Sequence, residues 1–219
     1  MGNLLTSTIG RKLIMSVSGL FLVLFLLFHM SMNLAAVFST EAYNAICEFL
    51  GANWYALAGT LILAAGVVVH LVYATVLTLH NRSSRGSQRY AMTAEPEGVT
   101  WASRNMYVLG IIIVLGLLLH LYNFWYNMQF AEIIGNHELG PFPPADGAAY
   151  IAALFSSPVY CIIYLVWFAA IWFHLTHGFW SAFHTIGWDN QTWLPRLKRI
   201  ANVVATIVFL CFALVVIVF

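Results

Sequence analysis

Long apolar runs alternate with short polar breaks along the chain. Five runs reach the roughly 20 mostly apolar residues that a bilayer-spanning helix needs. They occupy 15–38, 53–79, 105–126, 158–184 and 200–219. The fourth has marked ends. Ser157 is placed to cap it, Pro158 suits the first helical position, and Gly187 suits a C-terminal stop. The Pro141-Phe142-Pro143-Pro144 segment breaks the chain before it. The first run is too long for a signal-peptide core and lacks a small-x-small cleavage site, so it is expected to stay in the mature protein. No internal repeat and no second domain are visible. The pattern predicts one all-α integral membrane domain over 1–219, with five transmembrane helices.

Composition narrows the functional classes. Apolar residues make up 62% and charged residues 8%, against roughly 25% charged in a soluble domain. With a formal net charge of +1, a nucleic-acid partner is not expected. Cys47, Cys161 and Cys211 form no Cys-x-x-Cys, so a disulfide framework, a zinc ribbon and a covalent haem are excluded. The charges that remain set an orientation. Arg11, Lys12, Arg82, Arg85, Arg89, Arg104, Arg196, Lys198 and Arg199 all fall on one side of the predicted spans. Glu41, Glu48, Glu132, Glu138 and Asp146 fall on the other. The positive-inside rule then predicts a cytoplasmic N-terminus and an outside C-terminus.

Eight histidines in so apolar a chain are the candidate chemistry. His29, His70, His120 and His174 lie inside the first four spans, one on each. Ionisable groups at that depth are costly and mark function. One such histidine reads as a neutral side chain bonded to a neighbouring helix; one on each of four helices does not. At about 1.5 Å per residue, His29 and His120 lie about 21 and 22 Å from the cytoplasmic starts of their spans. By the same rise, His70 and His174 lie about 14 and 15 Å from the cytoplasmic ends of theirs. Two pairs at two depths is a layout for two bis-histidine haems stacked across a membrane, with the first four helices bundled around them. No Asp or Glu falls inside the predicted spans, and imidazole without carboxylate or thiolate suits haem iron better than zinc or di-iron.

Small residues accompany three of the four. Gly66 and Gly116 precede His70 and His120 by four, and Gly178 follows His174 by four. Such glycines leave room for a porphyrin against the backbone, and they serve ordinary helix packing equally well. His29 instead has Phe25 and Asn33 at those offsets. His177, one turn beyond His174, competes with it as a ligand and is assigned a place beside the haem or its propionates. His80 and His184 suit helix C-termini, and His137 reads as a solvated loop residue. Near the outer end of the first span, Ser31, Asn33, Tyr43 and Glu48 could meet a quinone, with Glu48 as the proton-transferring base.

Several segments carry a family resemblance. They are Gly10-Arg11-Lys12, Phe28-His29-Met30-Ser31-Met32-Asn33, Val69-His70-Leu71-Val72-Tyr73, Leu119-His120 and Phe173-His174-Leu175-Thr176-His177-Gly178-Phe179-Trp180-Ser181. In this order the chain resembles the five-helix, two-haem cytochrome b membrane anchor of succinate:quinone oxidoreductases and quinol:fumarate reductases. The resemblance implies that His70 and His174 hold an inner haem b and His29 and His120 an outer one. It further implies docking to an iron–sulfur subunit, itself joined to an FAD flavoprotein, and electron exchange with a membrane quinone, menaquinone in this group. The basic loop between His80 and Arg104 is the expected contact, and a bacterial cytoplasmic membrane the expected location. Some members carry a glutamate two residues before the ligand on the fourth helix; here that position is Trp172. A cytochrome b of a hydrogenase or formate dehydrogenase, or a histidine-lined transporter, remains open at this point.

Overall fold

The computed structural model describes residues 7–51, 53–85, 100–188 and 190–219. All regular structure among them is helical: α1 (Thr8–Phe38), α2 (Thr40–Phe49), α3 (Trp54–Arg85), α4 (Trp101–Arg104), α5 (Met106–His120), a π-helical run (Leu121–Phe130), α6 (Ala131–Ile133), α7 (Gly147–Phe155), α8 (Pro158–Thr185) and α9 (Trp193–Val218). Five stretches are long and apolar enough to cross a membrane: Thr8–Phe38, Trp54–Ser83, Met106–Ile133, Pro158–Thr185 and Trp193–Val218. Side chains such as Leu24, Leu61 and Ile217 stand about 70% exposed. An unbroken apolar exterior of that kind suits lipid rather than water. The chain has the form of a multi-pass membrane protein.

The helices overrun the apolar runs that predict them. α1 starts at Thr8 rather than 15, and α9 at Trp193 rather than 200. Hydropathy falls where Arg11, Lys12 and Arg196 enter, but a helix ends only where its terminal amides are capped. For α1 that cap is Ser7, whose hydroxyl accepts from Gly10 N at 3.1 Å. The third span runs past 126 to Ile133, because the chain widens into the π-helical run instead of stopping. Within it, Asn127 Nδ2 donates to the carbonyls of Tyr122 and Asn123 at 3.0 and 3.1 Å. Glu132, expected in a loop, therefore sits in the last turn of a spanning helix. At α8, Pro158 takes the first position as expected, but Ser157 makes no side-chain cap bond. Gly187 (φ 103°) supplies the left-handed stop.

Helices α1 and α8 form the middle of the bundle. α1 packs on α3, α8 and α9, and α8 packs on α1, α5 and α9. The fifth spanning helix packs on both of them, in keeping with the expected five spans. Its residues Ala201 and Ala205 are wholly buried, and such small side chains let α8 approach closely. Trp172 Nε1 donates to Thr206 Oγ1 at 3.0 Å across the same seam.

Short helices close the acidic end. Ser39 takes part in both α1 and α2: its N–H donates to Ala35 O, and its hydroxyl accepts from Ala42 N. α7 seats on α2 through Asn44, whose Nδ2 donates to Asp146 Oδ1 at 2.8 Å and whose Oδ1 accepts from Ala148 N at 2.9 Å. Gly147 makes the approach possible, since a Cβ there would lie 2.5 Å from Cys47 Sγ. Gln129 joins the π-helical run to this end. Its Oε1 accepts from Thr60 and Trp125, and its Nε2 donates to Gly51 O.

Candidate functional site

The structure brings the four intramembrane histidines together as two pairs. His29 of α1 and His120 at the end of α5 have ring centres 5.7 Å apart, with an 83° angle between planes. His70 of α3 and His174 of α8 have ring centres 6.3 Å apart, at 68°. The levels differ. His70 meets α1 at Ser18, and His120 meets it at His29. Those positions are about 16 Å apart along the helix axis at the standard rise.

Aromatic rings surround the pair nearer the acidic end. His29 stacks on Phe25 and touches Phe212 of α9. His120 lies against Phe124, Tyr164 and Trp167. Asn33, one turn beyond His29, donates through Nδ2 to His29 O at 2.8 Å and stands 3.4–3.5 Å from both ring nitrogens. Tyr43 of α2 donates its hydroxyl to Asn33 Oδ1 at 3.1 Å. Burial raises the Tyr43 phenol pKa well above its ordinary value. The neighbouring Cys47 thiol is pushed up to about 11 by the same cause.

The pair nearer the basic end rests on the backbone of α1. Ser18 Oγ stands 3.3 Å from His70 Nδ1. A Cβ on Gly19 would lie 3.3 Å from His70 Cε1. Neither residue was a sequence candidate. The sequence gives no signal for either; in the structure Ser16 and Ser18 are the buried polar side chains among the described residues. His177 does not join the pair. Its ring meets Trp180 edge-on at 5.0 Å, and Lys198 Nζ stands 4.7 Å from the centre of the same indole.

The remaining candidates divide. Gly66 packs against the Phe21 ring and Gly116 against the Trp167 indole, so each glycine receives an aromatic side chain. Gly178 is looser, with Met106 Cε 3.6 Å from a Cβ built there. Ser31 is exposed and donates to Leu27 O on its own helix. Glu48 is exposed as well, on a face of α2 turned about 140° from Tyr43. With Glu41, Asn44, Pro143 and Asp146 it borders an open groove of about 380 Å³. The structure thus gathers Asn33 and Tyr43 onto His29, and leaves Ser31 and Glu48 apart from them. Of the basic loop between His80 and Arg104, residues 86–99 lie outside the described residues.

The donor sets fit bis-histidine iron. A metal–nitrogen bond is about 2 Å, and a ring nitrogen is about 1 Å from its ring centre. Two imidazoles on opposite sides of one iron therefore have centres about 6 Å apart. Both observed separations match that value. The Nδ1 atoms of His120, His174 and His177 are all buried without a hydrogen-bond partner among the described residues, so it is the ring separations, not this feature, that set the pairs apart from His177. Compared with protein-family models, curated proteins and solved structures, the chain finds no match.

Proposed function

We propose that this chain is a two-haem cytochrome b membrane anchor that carries electrons between an iron–sulfur subunit and a membrane quinone. The observation that supports it is the pair of imidazoles at each of two levels, with ring centres 5.7 and 6.3 Å apart. His70 and His174 would hold one haem b, and His29 and His120 the other. Haem iron, when bound, supplies a one-electron carrier at each level. The chain's own residues set the conditions around it. The aromatic rings about His29 and His120 keep water away, and Asn33 bonds the main chain of His29 while its amide lies beside the ring.

The sequence resemblance specifies the complex: a succinate:quinone oxidoreductase or quinol:fumarate reductase with an FAD flavoprotein beyond the iron–sulfur subunit. The basic end of the bundle, cytoplasmic by the positive-inside rule, would dock the iron–sulfur subunit in a bacterial cytoplasmic membrane. Menaquinone would react at the acidic end, where Glu48 lies beside water and could exchange protons. Trp172 bonds Thr206, so this position offers no carboxyl group for a proton path along α8.

The test is a reduced-minus-oxidised spectrum with haem stoichiometry on the purified protein. Two b-type haems per chain are expected. A haem-free protein, or one haem lost only with His177→Ala and not with His174→Ala, would reject the assignment.

A further inference from the structure

The inner pair contains a hydrogen-bonding arrangement that the ligand assignment alone does not use. Ser18 is 8% exposed, so its hydroxyl has to find its partners inside the protein. It has two. Oγ donates to Met15 O at 3.1 Å, one turn back on α1. Oγ also stands 3.3 Å from His70 Nδ1. A hydroxyl carries one hydrogen and two lone pairs. With that hydrogen directed to Met15 O, the Oγ lone pairs are left to accept from His70 Nδ1.

We propose that Ser18 is a positioning residue for His70, holding the proton on Nδ1 so that Nε2 keeps the lone pair an iron would take. A neutral imidazole carries its proton on one nitrogen, and the partner of that nitrogen selects the tautomer. Gly19 completes the arrangement. A side chain at that position would begin 3.3 Å from His70 Cε1, so the absence of a Cβ lets the ring lie against α1 within reach of Ser18. The outer pair has no counterpart: Asn33 approaches both His29 nitrogens about equally and bonds the main chain. The structure therefore assigns a fixed tautomer to one level only. Metal-ligating histidines commonly use such outer partners, which orient the ring and raise its basicity.

The functional consequence rests on the two-haem reading, but the tautomer does not, and one experiment separates them. The full chain, with histidine labelled with nitrogen-15, is purified in detergent and reduced with dithionite so that low-spin haem is diamagnetic. Imidazole nitrogen resonances are assigned to His70 by their loss in His70→Gln. His70 is expected to carry its proton on Nδ1; in Ser18→Ala that N–H resonance should move upfield and exchange faster with water, and Ser18→Thr should restore both. A proton on Nε2 in the unsubstituted protein, or a Ser18→Ala spectrum that does not change, would overturn the proposal. A redox titration of the same samples reads the haem. Losing the acceptor makes His70 less basic, so the reduced-to-oxidised ratio of one haem should rise about threefold at fixed potential, or about 30 mV for a one-electron couple. The other haem should not move. Protein without haem but with the Nδ1 tautomer would reject the cytochrome reading and leave Ser18's role standing.

Discussion

The two histidine pairs share a chemistry and differ in what holds them. The pair at the acidic end is fixed by shape. Rings from α1, α5, the π-helical run, α8 and α9 close on it, and Asn33 ties it to the short helix α2 through Tyr43. The pair at the basic end is fixed by approach and one hydrogen bond, where Ser18 and Gly19 let His70 lie against α1. One level resists change in volume. The other resists change in a single polar atom. Similar histidine pairs can therefore be supported by packing or by hydrogen bonding, and substitutions should tell the two apart.

The largest effect should come from the paired histidines themselves. His120→Ala and His174→Ala are each expected to remove about half of the haem absorbance and spare the rest, because the levels stand about 16 Å apart. Loss of all haem from either variant would mean that the two levels form one cooperative unit and would dissolve the comparison. Next come the glycines. Gly116→Ala drives a methyl group into the Trp167 indole, and overpacking of that kind costs about 1–3 kcal/mol. Gly178→Ala meets only ordinary contacts at 3.6 and 3.9 Å, and the gain in helix propensity, up to about 1 kcal/mol, should leave it neutral or more stable. Thermal unfolding in detergent would measure both. Equal Tm changes would show that the acidic-end pair is no more tightly packed than the other.

Smaller effects test the polar link. Tyr43→Phe removes one hydrogen bond to Asn33 and should cost about 0.5–1.5 kcal/mol, with no change at the basic-end pair. An alkaline titration reads the same phenol. Folding raises its pKa through burial, so the folded state favours the neutral form. Its contribution is fully present below the unfolded value of about 10 and declines as pH rises above it. Near pH 7 the Asn33–Tyr43 link should therefore be insensitive to pH, which a flat stability profile from pH 6 to 9 would show.

Much of this arrangement was legible in the sequence, for specific reasons. Spans read correctly because about 20 apolar residues have few structural options. His29 with His120 and His70 with His174 were separable because rise per residue converts position into depth. What depth cannot supply is rotation and stagger between helices. His174 and His177 sit at similar depths, and only the packing of α8 turns one toward His70 and the other toward Trp180. Ser18 reads as a tolerated small residue in an apolar run until α3 is placed beside it. Gln129 lay beyond the predicted end of the third span, because polar Asn123, Asn127 and Gln129 lower hydropathy while the helix continues in its wider form. The short helices α2 and α7 gave little signal, since their order comes from Asn44 and Asp146, 102 residues apart.

Ser39 is the one non-helical residue between α1 and α2, and it serves as the terminal cap of the first and the initial cap of the second. There is consequently no slack in the chain at the junction of α1 and α2. A bilayer thicker or thinner than α1 cannot be accommodated there by paying out or taking in residues. Hydrophobic mismatch must instead be absorbed by tilt of the bundle or at the opposite boundary. The α1–α2 junction thus has a fixed length, and mismatch along α1 is expected to show as tilt or at the opposite end of that helix.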